Sequence, residues 1–329
     1  MTTYLIRRLF LMIPTLFGIT LLTFLLLRLS PVNPALLRGA GTAENGRAMT
    51  AEQREEMIKF YDLDKTPLVA YFDWLGKVLR GDLSDSFVDN RPVIERITER
   101  MGLTLSITGS ALIISYLVAI PVGVLAAVKR GQLIDRSISF AVFLLYSIPS
   151  FCAALLLIFF VAGGDYLNLL PMYGAGSVDA SVMGPFAWLW DRILHMILPV
   201  ICLTYGSLAS ISRYSRVSML DALGQDFVRT ARAKGLSERL VIMRHALRNA
   251  LIPIITIFTL EIPGLISGAV IIESIFTLPG MGQLMFQSID AGDYPVIMGL
   301  TLIIAIVTLV SYLLADILYA VVDPRITYE

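Results

Sequence analysis

Three carboxylates stand within long apolar runs of this chain: Glu261, Glu273 and Asp316. An ionisable group at membrane depth is costly, so each is a functional candidate by default. Glu261 falls near the middle of its run, where it could line a path and meet a substrate amine. Pairing with Arg28, a backbone donor or a neighbouring subunit would explain it equally well. Glu273 lies close to Leu278-Pro279-Gly280-Met281-Gly282. Glycines there permit positive φ and close backbone approach, so Glu273 with Pro279, Gly280 and Gly282 reads as an organised turn. Asp316 reads as structural. Tyr146, Ser150 and Tyr205 are polar enough to face the same path.

Other chemistries find no support. His195 and His245 lie far apart without ligand-spaced partners, which argues against a metal site. Cys152 and Cys202 both sit in apolar runs and suggest neither a disulfide framework nor a metal site. No Gly-x-x-x-x-Gly-Lys-[Ser/Thr] stretch occurs, so no phosphate-cradling loop is encoded. On this reading the chain binds no cofactor.

The elements that must position these groups are membrane helices. Of 329 residues, 56% are hydrophobic and only 16% charged, and the mean hydropathy of +0.75 requires lipid as the main solvent. A helix needs about 20 apolar residues to cross the hydrocarbon core. Six stretches qualify: Leu9 to Leu29, Leu103 to Val128, Ile138 to Ala162, Ile193 to Ile211, Ala250 to Phe276 and Val296 to Val322. The first is longer than a secretory signal core and lacks a small-residue cleavage site, so it reads as a retained anchor. Gly264 and Gly268, four apart, read as a face for close helix packing.

Charge orients these spans. The 26 basic and 26 acidic residues cancel, which argues for no nucleic-acid partner, and position carries the information instead. Arg7 and Arg8, Lys129 with Arg130 and Arg136, and the basic loop after the fourth span all fall on one side. The short connections opposite offer only Arg192. The Lys/Arg bias therefore places both termini in the cytoplasm. The chain divides into residues 1–30 with the first span, an extracytoplasmic insertion at 31–100, and a five-helix core at 101–329. Within the insertion, Ala51 to Tyr61 and Pro67 to Leu79 read as short helices.

The loop at 212–249 is polar and basic, yet Phe227, Ala231, Leu236, Leu240, Met243 and Leu247 recur at helical spacing. Gly235 suits the left-handed end of a first helix, and Ser237 with Glu238 suits the start of a second. The product is a helix–turn–helix knob at the membrane surface, for docking a partner or attracting anionic headgroups.

Asp226-Phe227-Val228-Arg229-Thr230-Ala231-Arg232-Ala233-Lys234-Gly235-Leu236, followed by Arg244-His245-Ala246-Leu247-Arg248-Asn249, resembles the coupling segment of oligopeptide and dipeptide ABC-transporter permeases. Where the broader importer motif begins Glu-Ala-Ala, this chain carries Arg229, Thr230 and Ala231, with Gly235 at its expected spacing. The resemblance extends to Leu5-Ile6-Arg7-Arg8-Leu9, Gly81-Asp82-Leu83-Ser84, Ile272-Glu273-Ser274-Ile275-Phe276 through Leu284, Asp293-Tyr294-Pro295 and Asp316-Ile317-Leu318-Tyr319. It implies an all-α integral membrane protein of the type I ABC importer kind, with six transmembrane helices and an extracytoplasmic helical insertion. It implies ATPase coupling through Phe227 to Leu236 and a path for peptides. The implied partners are a second, similar permease, two cytoplasmic ATPases carrying ATP and Mg2+, and an extracytoplasmic binding protein. Similar permeases also serve nickel, glutathione and other small solutes. From another class, an ion-driven secondary transporter using Glu261, Glu273 and Asp316 is the rival; the folded basic loop and the absence of an internal repeat weigh against it.

Overall fold

The computed structural model describes residues 2–29, 64–162 and 166–322. Among them no strand forms, only an isolated bridge between Asp85 and Pro92. Five helices are each long and apolar enough to cross a membrane, and a sixth crossing is a helix pair bent by 89°. Helix α1 covers Thr2–Leu29, and α2, Pro67–Val78, is the second of the two expected insertion helices. The other, Ala51 to Tyr61, lies outside the described residues. Helix α3 spans Val93–Val128. The bent crossing is α4, Leu133–Ser147, with α5, Ser150–Leu157, which ends in a π-turn over Ile158–Ala162. Helix α6 runs over Pro185–Leu223 and α7 over Asp226–Ala233.

The next helix starts as the short α8, Glu238–Leu240, and continues through a π-helical segment, Val241–Ala246, into α9, Leu247–Ser267. The short helices α10, Val270–Ile275, and α11, Met281–Asp290, lead to the last crossing, α12, Tyr294–Val322.

All six expected crossings are present, but several outrun their apolar stretches. Helix α6 continues to Leu223 and the helix of the fifth crossing begins at Glu238. The basic loop expected at 212–249 therefore shrinks to a short connector holding α7. Backbone hydrogen bonds do not stop where the hydrocarbon does, so amphipathic ends such as Ser212 to Leu223 extend the helix.

The scaffold is the seam between α3 and α6, where small residues let two backbones meet. Gly123, Ser115, Ala119, Ala126 and Ala127 on α3 are buried, as are Ala209, Ser212 and Ser215 on α6. The Ser115 hydroxyl donates to the Thr204 carbonyl at 3.2 Å. A Cβ added at Gly123 would stand 2.5 Å from the Ser212 carbonyl oxygen and 2.9 Å from the Arg216 nitrogen. Without a hydrophobic drive between helices in lipid, such close packing is what holds them together.

The insertion is tied to the bundle by aromatic and ionic contacts. Tyr71 of α2 is fully buried against Phe17 and Phe24 of α1, its hydroxyl 2.9 Å from that of Thr20. Asp293, between α11 and α12, is also fully buried. It accepts from Arg96 at 2.9 Å, from the Ser86 hydroxyl at 2.5 Å and from the Phe87 N–H at 2.9 Å. At the far end of the same crossing, Asp316 forms an ion pair with Arg8 of α1.

Two outcomes follow from this packing. Gly123→Ala should lower the unfolding temperature of the detergent-purified chain, an overpacking cost of about 1–3 kcal/mol. Gly102→Ala, whose Cβ meets nothing within 4 Å, should not. Asp293→Ala should cost about 3–5 kcal/mol, because it strands the Arg96 guanidinium and the Phe87 N–H, and the same thermal melt reads it.

Candidate functional site

The knob is built from a tight turn clamped on both sides. Helix α7 ends at Lys234, and Gly235 follows with φ +77°, a conformation that Gly adopts without a Cβ penalty. The Leu236 N–H then returns to the Ala231 carbonyl at 3.4 Å. Ser237 holds the extended backbone of an N-cap, but its side chain makes no cap hydrogen bond. Glu238 closes the turn instead: its carboxylate accepts Arg232 Nε at 3.1 Å and Nη2 at 2.7 Å. That bidentate pair raises the Arg232 pKa further above its ordinary value.

Helical spacing showed that the knob is folded, but its inward face is a different set of residues. Val228, Ala231, Val241 and Ala246 are buried with Met219 and Ala222 of α6, Ala127 of α3 and Ala250 of α9. Of the apolar residues read from spacing, Ala231 points into this cluster and Leu247 packs at its margin. Phe227, Leu236, Leu240 and Met243 remain 36–55% exposed. The cluster welds the knob to the ends of three crossings and leaves an apolar rim uncovered, with Arg229, Thr230 and Lys234 around it. Beside it, Asp135 at the start of α4 is buried and accepts Arg216 Nε at 2.7 Å and Nη2 at 2.9 Å. The Gly131 N–H donates to the same carboxylate at 2.9 Å, which ties the α3–α4 turn to α6. No sequence signal had singled out Asp135.

At the opposite end, Glu273 is 3% exposed and gathers four elements. The Thr104 hydroxyl of α3 donates to its Oε1 at 3.1 Å, and the Ala269 N–H approaches the same oxygen at 3.3 Å. The Gln283 N–H donates to Oε2 at 2.8 Å, and the Met281 N–H donates to Thr104 Oγ1 at 2.8 Å. The first N–H groups of a helix have no partner within it. Glu273 and Thr104 thus cap α11 from other helices, and the negative charge suits the N-terminus it faces. A Cβ at Gly280 would lie 2.4–2.6 Å from the carboxylate, and one at Gly282 2.8 Å from the Val270 nitrogen. Pro279 sits in the turn, between Leu278 and Gly280.

Gly268 belongs to this assembly too. It ends α9 with φ +76°, and its Cβ would stand 2.6 Å from Glu273 Oε1 and 2.5 Å from the Gly282 nitrogen. It is no packing partner for Gly264: it is not helical, and a Cβ at Gly264 meets nothing within 4 Å. A four-residue glycine spacing identifies a groove only if the helix continues, and here it stops at Ser267.

The other path candidates scatter. Tyr146 and Ser150 flank the bend between α4 and α5, both exposed. The bend follows from Pro149, which holds the preceding Ile148 extended at ψ 118°. Tyr205 of α6 donates to the freed Ile148 carbonyl at 2.7 Å, so its hydroxyl braces the bend. Glu261 lies near Tyr116 of α3, with which it is electrostatically coupled. Arg28 lies elsewhere, its guanidinium donating to the Lys65 carbonyl at 2.9 Å.

With this geometry in view, the likenesses to known proteins are consistent. Residues 119–328 match the family model described as binding-protein-dependent transport system inner membrane component, and residues 1–108 match its N-terminal companion. The oligopeptide transport system permease protein AppB of Bacillus subtilis is 41% identical over the full length of both chains. The dipeptide transport system permease protein DppB of Escherichia coli K12 is 38% identical, again over 100% of each. A solved structure of the MetNI methionine ABC transporter in an inward-facing conformation superposes with a TM-score of 0.53 at 19% identity, covering 70% of this chain and 97% of that one. That structure supports the fold.

The capped turn makes a thermodynamic cycle informative. Glu273→Ala should destabilise the chain by about 1–3 kcal/mol, since it orphans buried N–H groups. Gly280→Ala should destabilise it through the clash with the carboxylate. The double variant should cost less than the sum of the two, because removing the carboxylate makes room for the methyl; parallel thermal melts of the four proteins measure this.

Proposed function

Because the chain belongs to the binding-protein-dependent transport system inner membrane components, we propose that it is the peptide permease subunit of an ATP-driven importer, coupled to its motor through the knob at Gly235. It is a multi-pass membrane protein. It supplies half of a translocation path, and a second, similar permease supplies the rest. Two ATPases dock on the knobs from the cytoplasm, where both termini also lie, and hold the ATP and Mg2+; this chain contributes no nucleotide site. A binding protein delivers substrate from outside. Peptide is the substrate class carried by the names of the relatives at 41% and 38% identity.

The observation that carries the coupling role is the cluster joining Val228, Ala231, Val241 and Ala246 to α3, α6 and α9. A docking element works as a lever only if a push on it reaches the crossings, and close-packed interiors transmit displacement with little compliance. The uncovered rim of Phe227, Leu236, Leu240 and Met243, set among Arg229, Arg232, Ala233 and Lys234, is the surface a partner groove would take. ATP drives transport if the nucleotide-bound partner binds one orientation of the path better than the other. Glu261, Tyr146 and Ser150 are the residues we place along that path. Tyr205 contributes by holding the bend beside them.

The test is substrate-stimulated ATP hydrolysis by the reconstituted complex. Gly235→Ala, with open space around its Cβ, should assemble at a cost of about 1–2 kcal/mol in local strain and retain stimulation. Gly235→Arg should assemble and lose stimulation by about tenfold or more. Uptake driven by an ion gradient, with no ATPase bound, would contradict the proposal.

A further inference from the structure

Two polar atoms at membrane depth are shut from solvent without a hydrogen-bond partner among the described residues: Glu261 Oε2 on α9 and the Tyr116 hydroxyl on α3. They are neighbours, electrostatically coupled across the contact between the two helices, yet they do not complete a hydrogen bond with each other. The Tyr116 ring is fixed edge-on against Phe258 of α9, with centroids 5.3 Å apart at 88°. An unmet carboxylate oxygen in hydrocarbon is costly and calls for an explanation.

Space lies beside it. Gly264 follows Glu261 by three residues and so shares its face of the helix. It is exposed, and a Cβ there meets nothing within 4 Å. The α9 crossing is sparsely covered, with only 11% of its most apolar window buried. Nor do the cations at the span ends answer the charge. Arg28 donates to the Lys65 carbonyl, Arg100 to Gln283 at 3.5 Å, and Arg192 stacks 5.1 Å above the Trp188 ring.

We propose that Glu261 and Tyr116 form a subsite that holds the ammonium group of a peptide passing through the permease. The carboxylate and the phenol oxygen both accept hydrogen bonds, and an ammonium brings three donors and the opposite charge. The notch at Gly264 admits the chain that carries it. This rests on the reading of the protein as a peptide permease and adds to it a preference within the path itself.

The test compares uptake by reconstituted wild-type and Glu261→Gln complexes, each with the same binding protein, so that its own selectivity cancels between them. One arm pairs a peptide with its N-acetylated form, and the other pairs a lysine-containing peptide with its Nε-acetyl-lysine form; together they distinguish an α-ammonium from a side-chain one. The preference for the charged member should fall about fivefold or more in at least one arm, with a smaller fall in the same arm for Tyr116→Phe. Preferences unchanged in both arms overturn the proposal. So does loss of the permease pair on size exclusion with the preference intact, which makes Glu261 a subunit contact. Absence of ATP-driven uptake by the wild-type complex would instead sink the permease reading on which the subsite rests.

Discussion

Backbone polar groups inside a bilayer have no water to turn to, so every interruption of a crossing must be answered by another part of the protein. This chain interrupts its crossings at two places, and each has a specific answer. At the bend around Pro149 the freed Ile148 carbonyl takes the Tyr205 hydroxyl. Where α9 stops at Gly268, the Thr108 hydroxyl reaches the Leu265 carbonyl at 2.9 Å, while Glu273 and Thr104 cap the α11 that follows. In both cases the answer comes from α3 or α6 or is anchored on them, so the irregular segments depend on the seam between those two helices.

That dependence relates the two ends of the molecule. The seam at Gly123, Ser212 and Ser215 runs on one side into the cluster beneath the knob. Toward the other end, Thr104 of the same α3 meets the Glu273 cap. A push on the knob therefore acts on helices that also hold the turn at the opposite end. Rigid elements joined by capped breaks suit a two-state motion, because a capped break keeps its hydrogen bonds while the helices around it tilt.

Much of this was legible in the residues. Six apolar runs gave six crossings, since length and composition govern a helix in lipid. Gly235 gave the turn of the knob, because a left-handed residue between two helical patterns leaves few alternatives. Glu273 with Pro279, Gly280 and Gly282 gave an organised turn. What escaped was contact between distant segments. Thr104 and Glu273 are far apart in sequence and nothing local couples them. The inward face of the knob escaped because Val228, Val241 and Ala246 pack on three different helices and follow no single period. Gly264 and Gly268 misled because spacing alone does not say where a helix ends. The orphan pair of Glu261 and Tyr116 escaped in part: the carboxylate is conspicuous by its charge, whereas a tyrosine in an apolar span is ordinary until its neighbour is known.

The central claim is that the exposed rim of the knob is where the motor attaches. A photo-crosslinking residue at Leu236, 36% exposed and one position past the turn, tests it most directly in membranes containing the whole complex. Illumination should join this chain to an ATPase subunit, and the same probe at Val228, buried against α6, should give no such product. Crosslinks from Leu236 only to lipid would contradict the claim and leave the knob a headgroup-binding surface.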